Sequence, residues 1–385
     1  MIAEPDRAQP VGRGAIAGAI ALYIAGGLFW AFLPFFVSLQ TEHAGIGAAE
    51  AGLLGTAYLA GFTVSSMLAV WWAGRIALRP AIAGAAVVIA AAFWLLGVSG
   101  AFAVALAACF VIGNAMGGLW VIAYRVLGLA PVPARAFAIA IGLSYPALAL
   151  VTFTAGQWII PRSGLAGVLL TIALLVGILS LGGTQIPRRF TPAVAADRQS
   201  GAGATGAGVL ALAALFFTGF AFACIWSFAA KIGASIGIDA GAVGAVLSSN
   251  LLLTGFGSLV ASATVGRTRH ALPLLGALAV LALCAGLLML PLTPLLFAVA
   301  LVSLGFGIGA VMPYQLAAIS DADRSGALTS LIVAVQGAGS ALGPPLAGLM
   351  WDAGGPVAIA GAGLLLILAG TGCSILAIRG SSVRA

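Results

Sequence analysis

Apolar residues fill the chain in long runs separated by short polar gaps. The runs read as 15–39, 50–73, 80–98, 101–127, 136–160, 165–186, 207–230, 241–265, 271–290, 295–319, 326–350 and 356–378. Most exceed the roughly 20 residues that a helix needs to cross about 30 Å of hydrocarbon. The pattern predicts an all-α membrane protein with twelve transmembrane helices.

Charge supports that count. Numbering the gaps alternately puts Arg7, Arg13, Arg75, Arg79, Arg125, Arg135, Arg188, Arg189, Arg198, Arg267, Arg269, Arg324, Arg379 and Arg384 on one side. Only Arg162 and Lys231 fall on the other. Merging or dropping one run would scramble this division. Basic residues mark the cytoplasmic side, so both termini are expected in the cytoplasm. The acidic residues divide more evenly, with Glu4, Asp6, Asp197, Asp321 and Asp323 inside against Glu42, Glu50, Asp239 and Asp352 outside. The formal net charge of +7 is therefore a basic inside and a weakly acidic outside.

Composition narrows the class further. Charged residues make up 6% of the chain and apolar ones 62%, against a soluble norm of about 25% charged. The Arg residues are spread singly over loops, whereas nucleic-acid binding needs a clustered patch, so no nucleic-acid partner is expected. The first apolar run is too long for a signal-peptide core of about 7 to 15 residues and is expected to be retained. Cys109, Cys224, Cys284 and Cys373 each sit in a different run. They make no close-spaced pair suited to a metal, and neither metal nor cofactor is expected. The dominance of Arg over Lys in an Ala- and Gly-rich chain points to a GC-rich bacterial genome.

The one long polar stretch, 187–206, contains three Arg, two Pro and a Gly/Ser/Ala-rich end. It reads as a flexible cytoplasmic linker. It divides the chain into a tail at 1–14, six helices over 15–186, six more over 207–379, and a tail at 380–385. A constant shift of 192 residues places Gly27 on Gly219, Gly45 on Gly237, Gly52 on Gly244, Gly74-Arg75 on Gly266-Arg267, Gly113 on Gly305, Gly117 on Gly309 and Gly156 on Gly348. One ungapped shift keeps every apolar run in step. Parallel six-helix repeats with a substrate site between them, near the midplane, are a recurrent transporter plan.

Local motifs point the same way. AGRIALRP (Ala73 to Pro80) follows run two and VGRTRH (Val265 to His270) follows run eight; both are similar to the cytoplasmic Gly-Arg loop of the major facilitator superfamily. Trp71 and Trp72 stand where that motif has its Asp and first Arg. The stretch from Leu304 to Leu328 leads into Gln336 to Gly355, which resembles the same family's glycine-rich tenth helix, acidic-Arg loop and Gly-Pro eleventh helix. SYPAL (Ser144 to Leu148) replaces the Gly-Pro element that family antiporters carry on helix five. The resemblance implies two six-helix bundles, with helices one, four, seven and ten around a central cavity.

Polar residues at membrane depth are the candidate ligands. At about 1.5 Å per residue, the middle of run four falls on Asn114, of run eight near Asn250 and of run eleven near Gln336. Lipid cannot satisfy their amides, so each should face protein or a water-filled cavity. The resemblance adds Trp30, Tyr145, Trp226, Tyr314 and Gln315 as wall residues. Arg125 lies about 16 Å below Asn114; it either snorkels to the interface or attracts an anionic substrate at the inner mouth. Arg75 and Arg267, with Asp321, Asp323 and Arg324 nearby in the loops, are candidate gating residues. No Asp or Glu lies deep in any run, although such carboxylates are the usual intramembrane proton carriers. Glu50, at an outer helix end, is the nearest candidate for coupling.

The expected function is movement of a small organic solute across a bacterial inner membrane by a monomer, with substrate and lipid as its partners. A membrane enzyme would need clustered His, Asp or Glu, and the two histidines, His43 and His270, lie on opposite sides. A transporter-shaped sensor or scaffold is the other reading.

Overall fold

The computed structural model describes residues 12–43, 45–188, 206–264, 271–323 and 327–382. Their regular structure is all helical: α1 (Arg13–His43), α2 (Ala48–Trp72), α3 (Leu78–Val98), α4 (Phe102–Gly128), α5 (Pro133–Thr154), α6 (Ile160–Ser180), α7 (Gly206–Ser235), α8 (Ala240–Thr264), α9 (Ala271–Leu287), α10 (Pro294–Ala322) and α11 (Ala327–Ser382). A π-helical turn at Ala155–Ile159 joins α5 to α6. Most of the expected linker, 189–205, and Arg267 and Arg324 lie outside the described residues. Nine helical stretches among the described residues are long and apolar enough to cross a bilayer. The chain is a multi-pass membrane protein.

Two long helical stretches reverse direction at glycine. Gly355 (φ 62°, ψ −146°) divides α11. On its N-terminal side, Gly339 and Gly343 meet Phe216 and Ala223 of α7; beyond it, Gly363 and Gly370 meet Ile225 and Thr218. The two arms thus run along α7 in opposite senses. Gly164 (φ 54°, ψ −149°) does the same after the π turn, and the chain returns to set Gly182 against Gly18 of α1. Positive φ is open to glycine and strained for other residues.

The helices pack through glycine where backbones touch. A Cβ at Gly113 of α4 would fall on the carbonyl of Tyr58 in α2, and one at Gly117 on that of Phe62. The same contacts recur 192 residues later: Gly305 of α10 meets the carbonyl of Asn250 in α8, and Gly309 that of Thr254. The repeat extends to contacts between the two parts of the chain. Gly52 of α2 meets the carbonyl of Pro344, and Gly244 of α8 that of Thr152; Gly348 meets Ala48, and Gly156 meets Ala240; Gly337 meets Thr63, and Gly255 meets Tyr145. Each of these pairs keeps the shift read from the sequence. The helix-turn glycines Gly45 (φ 64°) and Gly237 (φ 78°) keep it as well. Without a hydrophobic force between helices in lipid, this close van der Waals contact is what holds them together.

Arg13, Arg75, Arg79, Arg125, Arg135, Arg188 and Arg379 lie at or near helix ends on one side, the basic end. Glu42, Glu50, Arg162, Lys231, Asp239 and Asp352 mark the opposite, acidic end. Residues 12–188 and 206–382 meet along three seams, α2 on α11, α5 on α8 and α1 on α7. By contrast α4 packs on α1, α2, α3 and α5, and α10 on α7, α8, α9 and α11. Among the described residues neither builds a comparable interface across to the other part.

Replacing Gly113 or Gly305 by Leu should force apart a pair of backbones that cannot yield, at a cost of at least about 1–3 kcal/mol. Gly100 and Gly276, which have nothing within 4 Å, should accept Ala with changes within about 0.5 kcal/mol. Thermal denaturation of the four purified variants checks the contrast.

Candidate functional site

The acidic end is sealed by side chains that cross between the parts. Trp226 of α7, 1% exposed, donates its indole N–H to the carbonyl of Trp30 in α1 at 3.2 Å. The two rings stack at 5.5 Å, and Phe222 stacks on both, 6.3 Å from Trp30 and 5.9 Å from Trp226. Nearer the surface, Lys231 donates to Thr41 of α1 at 2.7 Å and sits 4.8 Å above the ring of Trp351 in α11. Glu42 and Asp352 are the charges acting on it. Beside these lies a cavity of about 170 Å³ lined by Phe35, Ser38, Glu42, Ala230 and Ile238 among others. Ser38 donates to Glu42 at 2.6 Å.

Below that seal the candidate ligands divide into two groups. Trp30, Tyr145 and Gln336 lie at the seams: Trp30 in the stack just described, Tyr145 with its ring against Gly255 of α8, and Gln336 with its backbone beside Gly219 while the next residue meets Thr63 of α2. Asn114, Asn250, Tyr314 and Gln315 instead bond to neighbouring helices within their own part. Asn114 donates to the carbonyl of Gly61 at 3.4 Å. Asn250, fully buried, donates to the carbonyl of Leu301 at 2.6 Å. Tyr314 shares a 2.6 Å bond with Thr264. Gln315, 2% exposed, donates to Thr218 of α7 at 2.9 Å. Asn250 Oδ1 and Gln315 Oε1 have no hydrogen-bond partner among the described residues.

The charged candidates sit at helix ends. Arg75 is exposed just beyond α2. Its neighbour Arg79 donates to the carbonyl of Ile186 at 2.9 Å, and the backbone N–H of Leu78 donates to the carbonyl of Arg188 at 2.8 Å, a tie between the start of α3 and the chain beyond α6 within the same part. Asp321 and Asp323 end α10, and Arg125 is exposed in the last turn of α4. Glu50 is exposed and accepts the N–H of Gly47 at 3.1 Å, which satisfies a free donor at the start of α2.

An aromatic group on α1, α4 and α5 was not singled out from the sequence. Tyr23 of α1 stacks on Trp120 of α4 at 4.1 Å and on Tyr124 at 5.6 Å. Trp120 and Tyr124 stack at 5.7 Å and 20°, and Phe137 of α5 lies 5.2 Å from Tyr124. Gly26 and Gly27 of α1 leave room for Trp120. The signal was present, because residues four apart share a helix face. The candidates drawn from the sequence were the amides at membrane depth and, among the aromatics, Trp30, Tyr145, Trp226 and Tyr314.

No family model and no curated protein matches the chain. Solved structures do. The nucleoside transporter NupG aligns with a TM-score of 0.72 at 14% identity, over 96% of this chain and 99% of its own. An aspartate-to-alanine variant of NupG gives 0.74 at 12%, over 96% and 100%. A structure of proton dependent oligopeptide transporters gives 0.71 at 12%, over 96% and 97%. The chain shares the fold of these transporters. Trp30, Phe222 and Trp226 cross between its two parts, and the aromatic group lies on α1, α4 and α5.

Thiol labelling reads this division directly. In a Cys373→Ser background, Tyr124→Cys and Gln336→Cys should react with a charged methanethiosulfonate reagent, and Asn250→Cys should stay unmodified by comparison. Mass spectrometry of the labelled protein checks it.

Proposed function

We propose that the protein is a secondary transporter of a small organic solute, working by alternating access in a bacterial cytoplasmic membrane. The breaks at Gly164 and Gly355 make two spans each of the α5–α6 and α11 stretches, which gives twelve. The domains are then 15–186 and 207–379, joined by the 187–206 linker. The excess of Arg at the basic end puts that end and both termini in the cytoplasm. Access is then inward, beneath a roof of Trp30, Phe222 and Trp226.

The observation that carries the reading is the repeat of glycine contacts on the α2–α11 and α5–α8 seams. Two equivalent units that meet at glycine along these seams can rock about them while each stays rigid. Lys231 then acts as the outer latch: its contacts to Thr41 and Trp351 must break when the acidic end opens. The seam residues Trp30, Tyr145 and Gln336 are the proposed substrate contacts. Asn114, Asn250, Tyr314 and Gln315 remain proposed contacts in states where their present bonds rearrange. Arg75, Arg267, Asp321, Asp323 and Arg324 are assigned to gating at the inner end.

Nucleosides and oligopeptides, the solutes for which the similar transporters are named, are the first to test, beside a mixed bacterial metabolite extract. Proteoliposomes should show saturable movement of at least one component that protein-free vesicles lack. Failure to move any component, with folded protein confirmed, would favour the sensor or scaffold reading.

Coupling follows from where the carboxylates lie. Glu42, Glu50, Asp239, Asp321, Asp323 and Asp352 all occupy helix ends among the described residues, so no midplane proton-binding carboxylate is proposed. Glu50 holds the start of α2. Glu50→Gln should therefore retain most transport of a neutral substrate, measured as uptake rate under an imposed pH gradient. Gradient-driven accumulation abolished by that change would assign the coupling role to Glu50.

A further inference from the structure

We propose that the aromatic group at Tyr23, Trp120 and Tyr124 is a stacking shelf, and that the ligand it takes is a flat, conjugated ring system without positive charge. The inference deepens the transporter reading and rests on it for the meaning of the opening, although binding itself can be measured without transport.

Tyr124 decides the matter. Its ring has partners from three helices, Tyr23, Trp120 and Phe137, yet 42% of its surface stays exposed. Lipid does not account for that exposure. The other faces of α4 are taken by α2 and α3, while Tyr124 looks between α1 and α5. The Tyr145 hydroxyl lies close enough to those of Tyr23 and Tyr124 to interact with them electrostatically, and the Tyr145 ring rests on Gly255 of the other domain. The free side of Tyr124 therefore faces the space between the domains.

Geometry selects the ligand class. The three rings lie within 20–30° of one another, so they form a layered surface. A cage for an ammonium group would turn several ring faces towards one point. Another flat ring extends such a layer at an offset-stacked distance. Charge argues against cations as well: Arg125 is next to Tyr124, and Arg13 and Arg135, at the starts of α1 and α5, are exposed at the same end. A cation approaching the shelf from that end passes these guanidinium groups.

The test uses three probes of similar size on the purified full chain: the planar lactam carbostyril, its saturated decahydro analogue, and the N-methylquinolinium cation. Quenching of tryptophan fluorescence and thermal stabilisation both report binding. Carbostyril should bind at least tenfold more tightly than the other two. Tyr124→Ala and Trp120→Ala should lose at least tenfold of that affinity, and Tyr124→Phe, which keeps the ring, should retain it. Equal binding of planar and saturated lactams would overturn the proposal, as would tighter binding of the cation or full carbostyril affinity in folded Tyr124→Ala. Planar-selective binding without flux of any solute would keep the shelf and contradict transport. Flux of a solute unaffected by Tyr124→Ala, with no planar preference, would do the reverse.

Discussion

The helix contacts that repeat between the two parts of this molecule depend on backbones coming closer than most side chains allow. Lipid supplies no hydrophobic force between helices and no water for stray polar groups. What remains is dispersion at short range, and glycine gives the shortest. Gly113 on Tyr58 and Gly117 on Phe62 bind α2 to α4, and their counterparts Gly305 on Asn250 and Gly309 on Thr254 bind α8 to α10. These contacts within a domain bring large surfaces together, and they leave no slack for the helices to shift independently.

Between the domains the same device has a different consequence. Gly52, Gly337 and Gly348 on one seam and Gly156, Gly244 and Gly255 on the other make smooth surfaces, while the linking side chains collect at the acidic end in the Trp30–Phe222–Trp226 stack and at Lys231. A rigid pair of domains, smooth seams and a breakable latch at one end are the mechanical parts that rocking needs.

The sequence carried the architecture well because its signals are global. Apolar run length, the sidedness of Arg and a single shift each average over many residues, and the shift reappears contact by contact. Individual side chains were harder to place. Asn250, placed by its depth, and Gln315, placed by the family resemblance, were read as cavity residues; in this structure they bond to Leu301 and Thr218 of neighbouring helices. These helices are apolar on all sides, so depth can be counted along the sequence while facing cannot. Tyr23, Trp120 and Tyr124 were passed over for the opposite reason, since aromatics in a membrane helix read as filler or interface anchors. Arg75 drew notice through its motif, whereas the tie is made by Arg79, whose partner is a backbone carbonyl 107 residues away and leaves no trace in a motif.

Domain rocking is the central claim, and paired spectroscopic distances test it most directly. Spin labels at Gly128→Cys and Asp321→Cys report the basic end, and labels at Gly100→Cys and Leu290→Cys the acidic end, each pair spanning the two domains. In nanodiscs the two distances should change in opposite directions as conditions shift the population, the first shortening while the second lengthens. Distances that stay fixed at both ends across pH, ligand and the Lys231→Ala variant, or that lengthen together, would contradict the account.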